Sequence, residues 1–228
     1  MIPTPTTRSL DITKVYEPYE DSFLFLDLLE QEKEYLTSRY PLPSSYGAPV
    51  VLEVGTGSGI IATFINAHIL PGSITLATDI NVHACRAFAA TVAENSLACH
   101  GGRGMDVVRA SLASAIRPHA VDLLVFNPPY VPEEVVPRMP AVDDDADDGW
   151  LDLALVGGKD GMEVTWLLLD ALDDVLSRER GCAMILFCKR NNPEQVAKTM
   201  EERGWKVALV GERKAGWEVL SIWRFSRN

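Results

Sequence analysis

Val50 to Val54 is a largely apolar, β-forming run that ends in Gly55-Thr56-Gly57-Ser58-Gly59, and a helical pattern opens directly behind it. A strand, a tight glycine turn and a helix in that order favour an α/β architecture. Parallel strands need a long crossover to return, and a helix usually supplies it. The chain keeps that alternation. The first helix runs from about Gly59 to His68. Ser73 to Thr78 reads as a second strand, Val82 to Ser96 as a second helix and Met105 to Ala110 as a third strand. Val121 to Phe126 is apolar enough to be a central strand. Gly161 to Arg178 reads as a helix and Cys182 to Cys188 as a fifth strand. Pro193 to Arg203 is helical, with Pro193 near its first turn and Gly204 just past its end. Trp205 to Val210 and Trp217 to Phe225 predict a terminal hairpin. Upstream, Tyr19 to Arg39 carries Phe25, Leu28, Leu29 and Leu36 on one helical face, and the proline-rich stretch 41–49 ends it.

The expected fold is α/β: a Rossmann-like, seven-stranded, mostly parallel sheet with helices on both faces. No repeat or low-complexity linker divides the 228 residues, so one domain is expected. Within it, residues 1–14 read as a flexible N-terminus, 15–48 as a helical segment over the ligand end, and 49–228 as the core. The connection from Asn127 to Asp160 is long for a compact domain and holds the acidic tract Asp143 to Asp148. Loops of that length are usually functional or mobile.

Composition narrows the partners. With 47% hydrophobic and 23% charged residues the chain reads as an ordinary globular protein. No apolar run approaches the roughly 20 residues that span a bilayer. The Thr- and Pro-rich start, Met1 to Leu10, lacks the apolar core of a signal peptide. The expected compartment is the cytoplasm, with the nucleus left open. A net charge of -11 opposes direct binding to nucleic acid, where phosphate contacts supply most of the affinity. Cys85, Cys99, Cys182 and Cys188 form no C-x-x-C pair and have no histidine at ligand spacing, so they read as reduced thiols and no metal site is expected.

The glycine turn is spaced G-x-G-x-G rather than the G-x-G-x-x-G of dinucleotide sites. Glu53 stands just before it, with Val54 between. A pyrophosphate would be repelled by that carboxylate, whereas a cationic sulfonium ligand with an amino group would be accepted. Asp79 ends the second strand, 20 residues beyond Gly59, where a carboxylate can accept from two ribose hydroxyls. It can also cap the next helix, although Asn81 is the more natural cap.

The fourth strand runs straight into Asn127-Pro128-Pro129-Tyr130, at the sheet edge where open α/β folds bind ligands. Two prolines fix φ and remove two N–H donors, which leaves carbonyl oxygens free to accept. Asn127 adds a side-chain carbonyl. Together with the Pro128 carbonyl it can take both hydrogens of a planar NH2 group and orient the nitrogen toward a methyl donor. Tyr130 can pack on the flat group. No base is needed beforehand, because the proton can leave after transfer.

The glycine loop, Asp79 and Asn127 to Tyr130 together resemble the HemK-type N5-glutamine methyltransferases of the Rossmann-like class I. Tyr16 to Leu24, Gly157 to Gly161 and Lys189 to Glu194 are similar to the short eukaryotic and archaeal branch, whose catalytic subunit is a single domain. The resemblance covers about Val15 to Phe225. It implies the cofactor S-adenosyl-L-methionine, held by Ser22, Glu53, Val54, Gly55, Gly57, Gly59, Asp79, Ser111, Leu112 and Asn127. It implies that Asn127, Pro128, Pro129 and Tyr130 hold the glutamine of the Gly-Gly-Gln loop in a class I translation release factor. Ser111 stands where the family commonly has Asp, and Leu155 where a Trp is common before the Gly-Gly pair. The resemblance also implies a heterodimer with a small zinc-binding activator subunit. We expect that subunit to add a strand along 105–110, an edge with little charge protection. The acidic tract reads as a solvated loop or a docking surface for the basic release factor.

Three rivals stay open at this point: an adenine-N6 methyltransferase on DNA or RNA, a nicotinamide oxidoreductase, and a non-catalytic scaffold. Other protein substrates, such as histone lysine, also stay open. The nucleic-acid reading is opposed by the charge and by the lack of a target-recognition domain. The oxidoreductase reading is opposed by the glycine spacing.

Overall fold

The computed structural model describes residues 2–42, 44–96, 104–140 and 149–227. Its main sheet has seven strands: β1 (Val50–Val54), β2 (Ile74–Asp79), β3 (Met105–Arg109), β4 (Leu123–Phe126), β7 (Cys182–Cys188), β8 (Lys206–Ala215) and β9 (Glu218–Ser226). Their order is β3-β2-β1-β4-β7-β9-β8. All neighbours are parallel except β9, which runs antiparallel to β7 and to β8. The expected terminal hairpin is present and longer than its apolar runs suggested. The third strand is an edge, as the topology required.

Helices cover both faces. Along β4, Leu123 and Val125 pack into one core and Leu124 and Phe126 into the other. That period of two sorts every central strand. The first core takes Phe25 and Leu29 of α1 (Glu20–Gln31), Leu36 of α2 (Lys33–Arg39) and Phe64 of α3 (Ile60–Phe64). The second takes Leu168 and Leu172 of α6 (Glu163–Val175) with Val196 and Met200 of α7 (Pro193–Glu202). The single N-terminal helix expected over Tyr19 to Arg39 is two helices that break at Glu32, whose carboxylate pairs with Arg224 of β9. After α3 the helix continues as a π turn over Ile65–Ile69.

Residues expected to form a flexible N-terminus are instead tied down. Thr6 and Asn95 exchange backbone and side-chain hydrogen bonds of 3.0 and 2.9 Å. The N–H groups of Arg8 and Ser9 both reach the Glu94 carboxylate at 2.9 Å. Glu94 ends α4 (Val82–Glu94), and Val15 packs on Ala84 and Ala87 of the same helix. Repeated backbone pairing to one helix is what orders a segment with no secondary structure of its own.

The long connection after Asn127 also carries structure. Val131–Pro132 (β5) pairs with Val156–Gly158 (β6), and Gly149–Leu155 forms the short helix α5. The acidic tract Asp143 to Asp148 and Cys99 lie outside the described residues. At the far edge, β8 bulges between Leu209 and Gly211, and a Cβ at Gly211 would sit 2.6 Å from Leu28 of α1.

Candidate active site

Three loops converge because of register. Val54 of β1 is level with Thr78 of β2 on one side and Phe126 of β4 on the other. Gly55, Asp79 and Asn127 therefore leave the same sheet edge side by side. The strand order reverses there, between β1 and β4, which is where doubly wound sheets open a crevice. The crevice is a cavity of about 360 Å³, within the range of small-molecule sites. Ser22, Glu53, Val54, Gly55, Gly57, Asp79, Ser111, Leu112, Asn127, Pro128, Pro129 and Tyr130 all line it.

Gly59 is the exception among the expected residues. It is absent from the lining, and a Cβ there would lie 2.9 Å from the Phe88 backbone. Its left-handed φ of +79° and that close approach make it a helix-packing glycine between α3 and α4. Gly57 differs. Its φ is +52° and a Cβ would meet nothing, so bare backbone faces open space where a ligand can approach.

Both acids beside the glycine turn are buried and ordered. Glu53 accepts from the Thr56 hydroxyl at 2.5 Å and from the Ala62 N–H at 3.2 Å in the first turn of α3. Burial pushes its carboxyl up from its ordinary 4.5 to about 8. Asp79 accepts the Gly57 N–H at 2.9 Å and the Asn81 N–H at 2.8 Å, and burial raises its pKa as well. Asn81 caps α4 through His83 N–H at 2.9 Å, so capping falls to Asn81 and leaves Asp79 to the cavity. A carboxylate has about four acceptor positions, so the N–H groups of Gly57, Asn81 and Ile80 still leave room for a hydroxyl donor from the cavity. The bare Gly57 cradle, the Asp79 acceptors and the Glu53 carboxyl together fit a ribose-bearing, cationic ligand.

At the other end, Asn127 Oδ1 is buried with no hydrogen-bond partner among the described residues. A buried acceptor left open costs free energy unless a ligand fills it. Asn127 Nδ2 donates to Asp21 Oδ2 at 3.2 Å. Tyr130 is half-buried, and its hydroxyl donates to Glu218 at 3.4 Å. Burial raises the Tyr130 pKa, as it does that of Tyr16, so both stay neutral phenols.

Four residues at the site were not assigned a role from sequence. Asp21 and Tyr16 line the cavity from the N-terminal segment. Trp150 of α5 lines it too, edge-on to His83 with ring centroids 5.8 Å apart. Asn191 supports the Pro-Pro-Tyr loop from behind: its Nδ2 donates to the carbonyls of Tyr130 and Asp160, each at 3.0 Å. The Tyr16 to Leu24 and Lys189 to Glu194 stretches were the available signals for Asp21, Tyr16 and Asn191. Trp150 had none.

The Methyltransferase small domain family model matches residues 41–139, which holds the glycine loop, Asp79 and Asn127 to Tyr130. Methyltransferase HEMK2 of Mus musculus is 36% identical, over 94% of this chain and 90% of that one. The eRF1 methyltransferase catalytic subunit mtq2 of Schizosaccharomyces pombe is 34% identical, over 100% of this chain and 96% of its own length. In the solved Mtq2-Trm112 complex of E. cuniculi, a matching chain is 27% identical with a TM-score of 0.64, covering 94% of this chain and 99% of that chain. Matched over nearly its whole length, and keeping the glycine turn, Asp79 and the open asparagine acceptor in one crevice, this chain belongs to the HEMK2 and Mtq2 family of methyltransferases.

Proposed function

We propose that this chain transfers a methyl group to the side-chain amide nitrogen of the glutamine in the Gly-Gly-Gln loop of a class I release factor. S-Adenosylmethionine supplies the electrophilic methyl group when bound. The observation that carries the substrate reading is the buried, unpartnered Oδ1 of Asn127 beside two prolines. An acceptor fixed there, with a backbone carbonyl beside it, selects a planar NH2 over a hydroxyl or a carbonyl. Asp79 takes a ribose hydroxyl, Glu53 the amino group, and Ser111 with Leu112 borders the adenine. Gly55 and Gly57 let the backbone approach, and Ser22 closes the site from α1. Tyr130 walls the amide and is held by Glu218.

The names of the relatives support this substrate class: the S. pombe protein is an eRF1 methyltransferase subunit, and the E. cuniculi complex methylates eRF1. The latter was solved with Trm112. A small zinc-binding subunit of that kind adds to the present chain along β3, whose Val108 is 40% exposed. The heterodimer acts in the cytoplasm. Expressed alone, the chain is expected to be poorly soluble, and co-expression to rescue it.

The test is to incubate the heterodimer with labelled cofactor and either recombinant eRF1 or DNA. Label on the Gly-Gly-Gln glutamine is the expected result. Label in DNA and not in protein would replace this reading with the adenine-N6 one.

A further inference from the structure

Asn127 is ambiguous by itself. Its side chain ends in an oxygen and an NH2 group of nearly equal size, and only the oxygen can accept from a substrate NH2. Some neighbour must decide which end faces the substrate. Asp21 is placed to do so. Its Oδ2 lies 3.2 Å from Asn127 Nδ2, across 106 positions of sequence. A carboxylate offers acceptors only, so this contact holds the NH2 end against α1 and leaves Oδ1 as the open acceptor.

Asp21 is itself fixed. It is 4% exposed, its Oδ1 accepts the Ser22 N–H at 2.6 Å, and the Tyr16 hydroxyl hydrogen-bonds to it. Phe25 and Leu29, in the next turns of the same helix, are fully buried in the core and set the helix against the strands. The pair is thus held from both sides.

We propose that Asp21 is a positioning residue for methyl transfer, which fixes and polarises the Asn127 amide so that Oδ1 accepts from the substrate nitrogen. This rests on the reading of Asn127 as the substrate's acceptor. Donation from Nδ2 to an anion shifts electron density toward Oδ1 and strengthens it as an acceptor. In the step itself, the substrate nitrogen's lone pair forms the N–C bond as the electrons of the S–C bond return to sulfur. The extra proton then leaves the nitrogen for water. Positive charge grows on that nitrogen meanwhile, and a buried anion one amide away stabilises it.

The experiment uses the heterodimer, recombinant eRF1 and tritiated S-adenosylmethionine, with Asp21→Ala, Asp21→Asn and Tyr16→Phe. Asp21→Ala should lower kcat about 100-fold while the cofactor Kd and the KM for eRF1 stay within about 3-fold. Asp21→Asn keeps the shape and loses the acceptor-only character, so its kcat should fall about 10-fold with an unchanged melting temperature. Tyr16→Phe should fall about 3-fold by loosening Asp21. Full kcat in Asp21→Asn would overturn the proposal, since a purely structural role tolerates the isostere. So would a loss of cofactor affinity in Asp21→Ala as large as its loss of kcat. Failure of the wild-type enzyme to label eRF1 would instead strike the functional reading. Should Asp21→Ala not fold, the Asn variant alone decides.

Discussion

Asn191 donates from Nδ2 to the Tyr130 carbonyl at 3.0 Å, pinning the end of the Pro-Pro-Tyr loop to the exit of strand β7. The same buried side chain donates to the Asp160 carbonyl and accepts the Cys188 N–H at 2.9 Å. Three loops therefore share one amide. Asn191→Ala leaves two carbonyls and one N–H unpaired, at a cost of about 2–4 kcal/mol. At roughly 2–4 °C per kcal/mol for a chain of this size, calorimetry should show a clearly lower Tm. Turnover should fall further than cofactor affinity, because the loop that loosens is the one proposed to hold substrate.

The space behind that loop has no slack. A Cβ at Gly161 would lie 2.0 Å from the Tyr130 carbonyl oxygen, and its φ of +68° disfavours any side chain. Gly161→Ala should therefore abolish transfer or yield insoluble protein, while Gly216→Ala, whose φ of +58° costs some stability but whose Cβ would meet nothing within 4 Å, should leave turnover nearly intact. Comparing soluble yield and labelling rates for the two variants checks this.

Binding and chemistry should separate by residue. Asn127→Ala is expected to remove transfer by about 100-fold or more while leaving cofactor Kd within a few-fold. Asp79→Ala should instead weaken cofactor binding about 10- to 100-fold, a charge-assisted hydrogen bond being lost. Titration calorimetry against single-turnover labelling resolves the two; equal loss of both quantities in Asn127→Ala would contradict the assignment.

Glu53 should make the enzyme sensitive to pH. Its folded-state pKa of about 8 exceeds its ordinary 4.5. Its contribution to stability is therefore complete below about 4.5 and is lost as pH rises through about 8. The unliganded protein should melt lower at pH 8.5 than at pH 6, and Glu53→Gln should flatten that difference. A cationic ligand draws Glu53 into its charged form, so binding below pH 8 should release a proton. Calorimetry at pH 7 in two buffers of different ionisation enthalpy measures that release, which Glu53→Gln should suppress.

Partner binding should depend on the open edge. Val108→Lys places a charge on β3, where Val107 and Val108 offer little protection. On co-expression, co-purification of the activator should drop about 10-fold or more and the soluble yield of the catalytic chain should fall with it, whereas Trp217→Lys, at an exposed site on the far hairpin, should change neither.

The strand pattern and the three motif loops were legible because each is local. Val50 to Gly59, Asp79 and Asn127 to Tyr130 announce themselves by period and punctuation, and parallel register then sets them side by side. Asp21 and Asn191 were not legible as functional groups, since their roles exist only in contacts spanning 106 and 61 positions. Gly59 misled for the opposite reason: a glycine in a ligand-binding turn can serve the ligand or the helix behind it, and spacing does not say which. The two-residue strand β5 and the seven-residue helix α5 are too short to carry a period, so the connection after Asn127 read as plain loop. The N-terminus read as loose because its ties run through Asn95 and Glu94, far along the chain.

The two rims of the sheet are unlike. On one, β3 is five residues long and sets Val107 and Val108 between Asp106 and Arg109; on the other, β8 is kinked at its bulge, abuts α1, and carries Lys206, Glu212, Arg213 and Lys214. An assembly extending through backbone pairing has one place to begin and, on this subunit, nowhere to continue. On the proposed pairing along β3, the asymmetry of the rims predicts one guest strand, and then a stop.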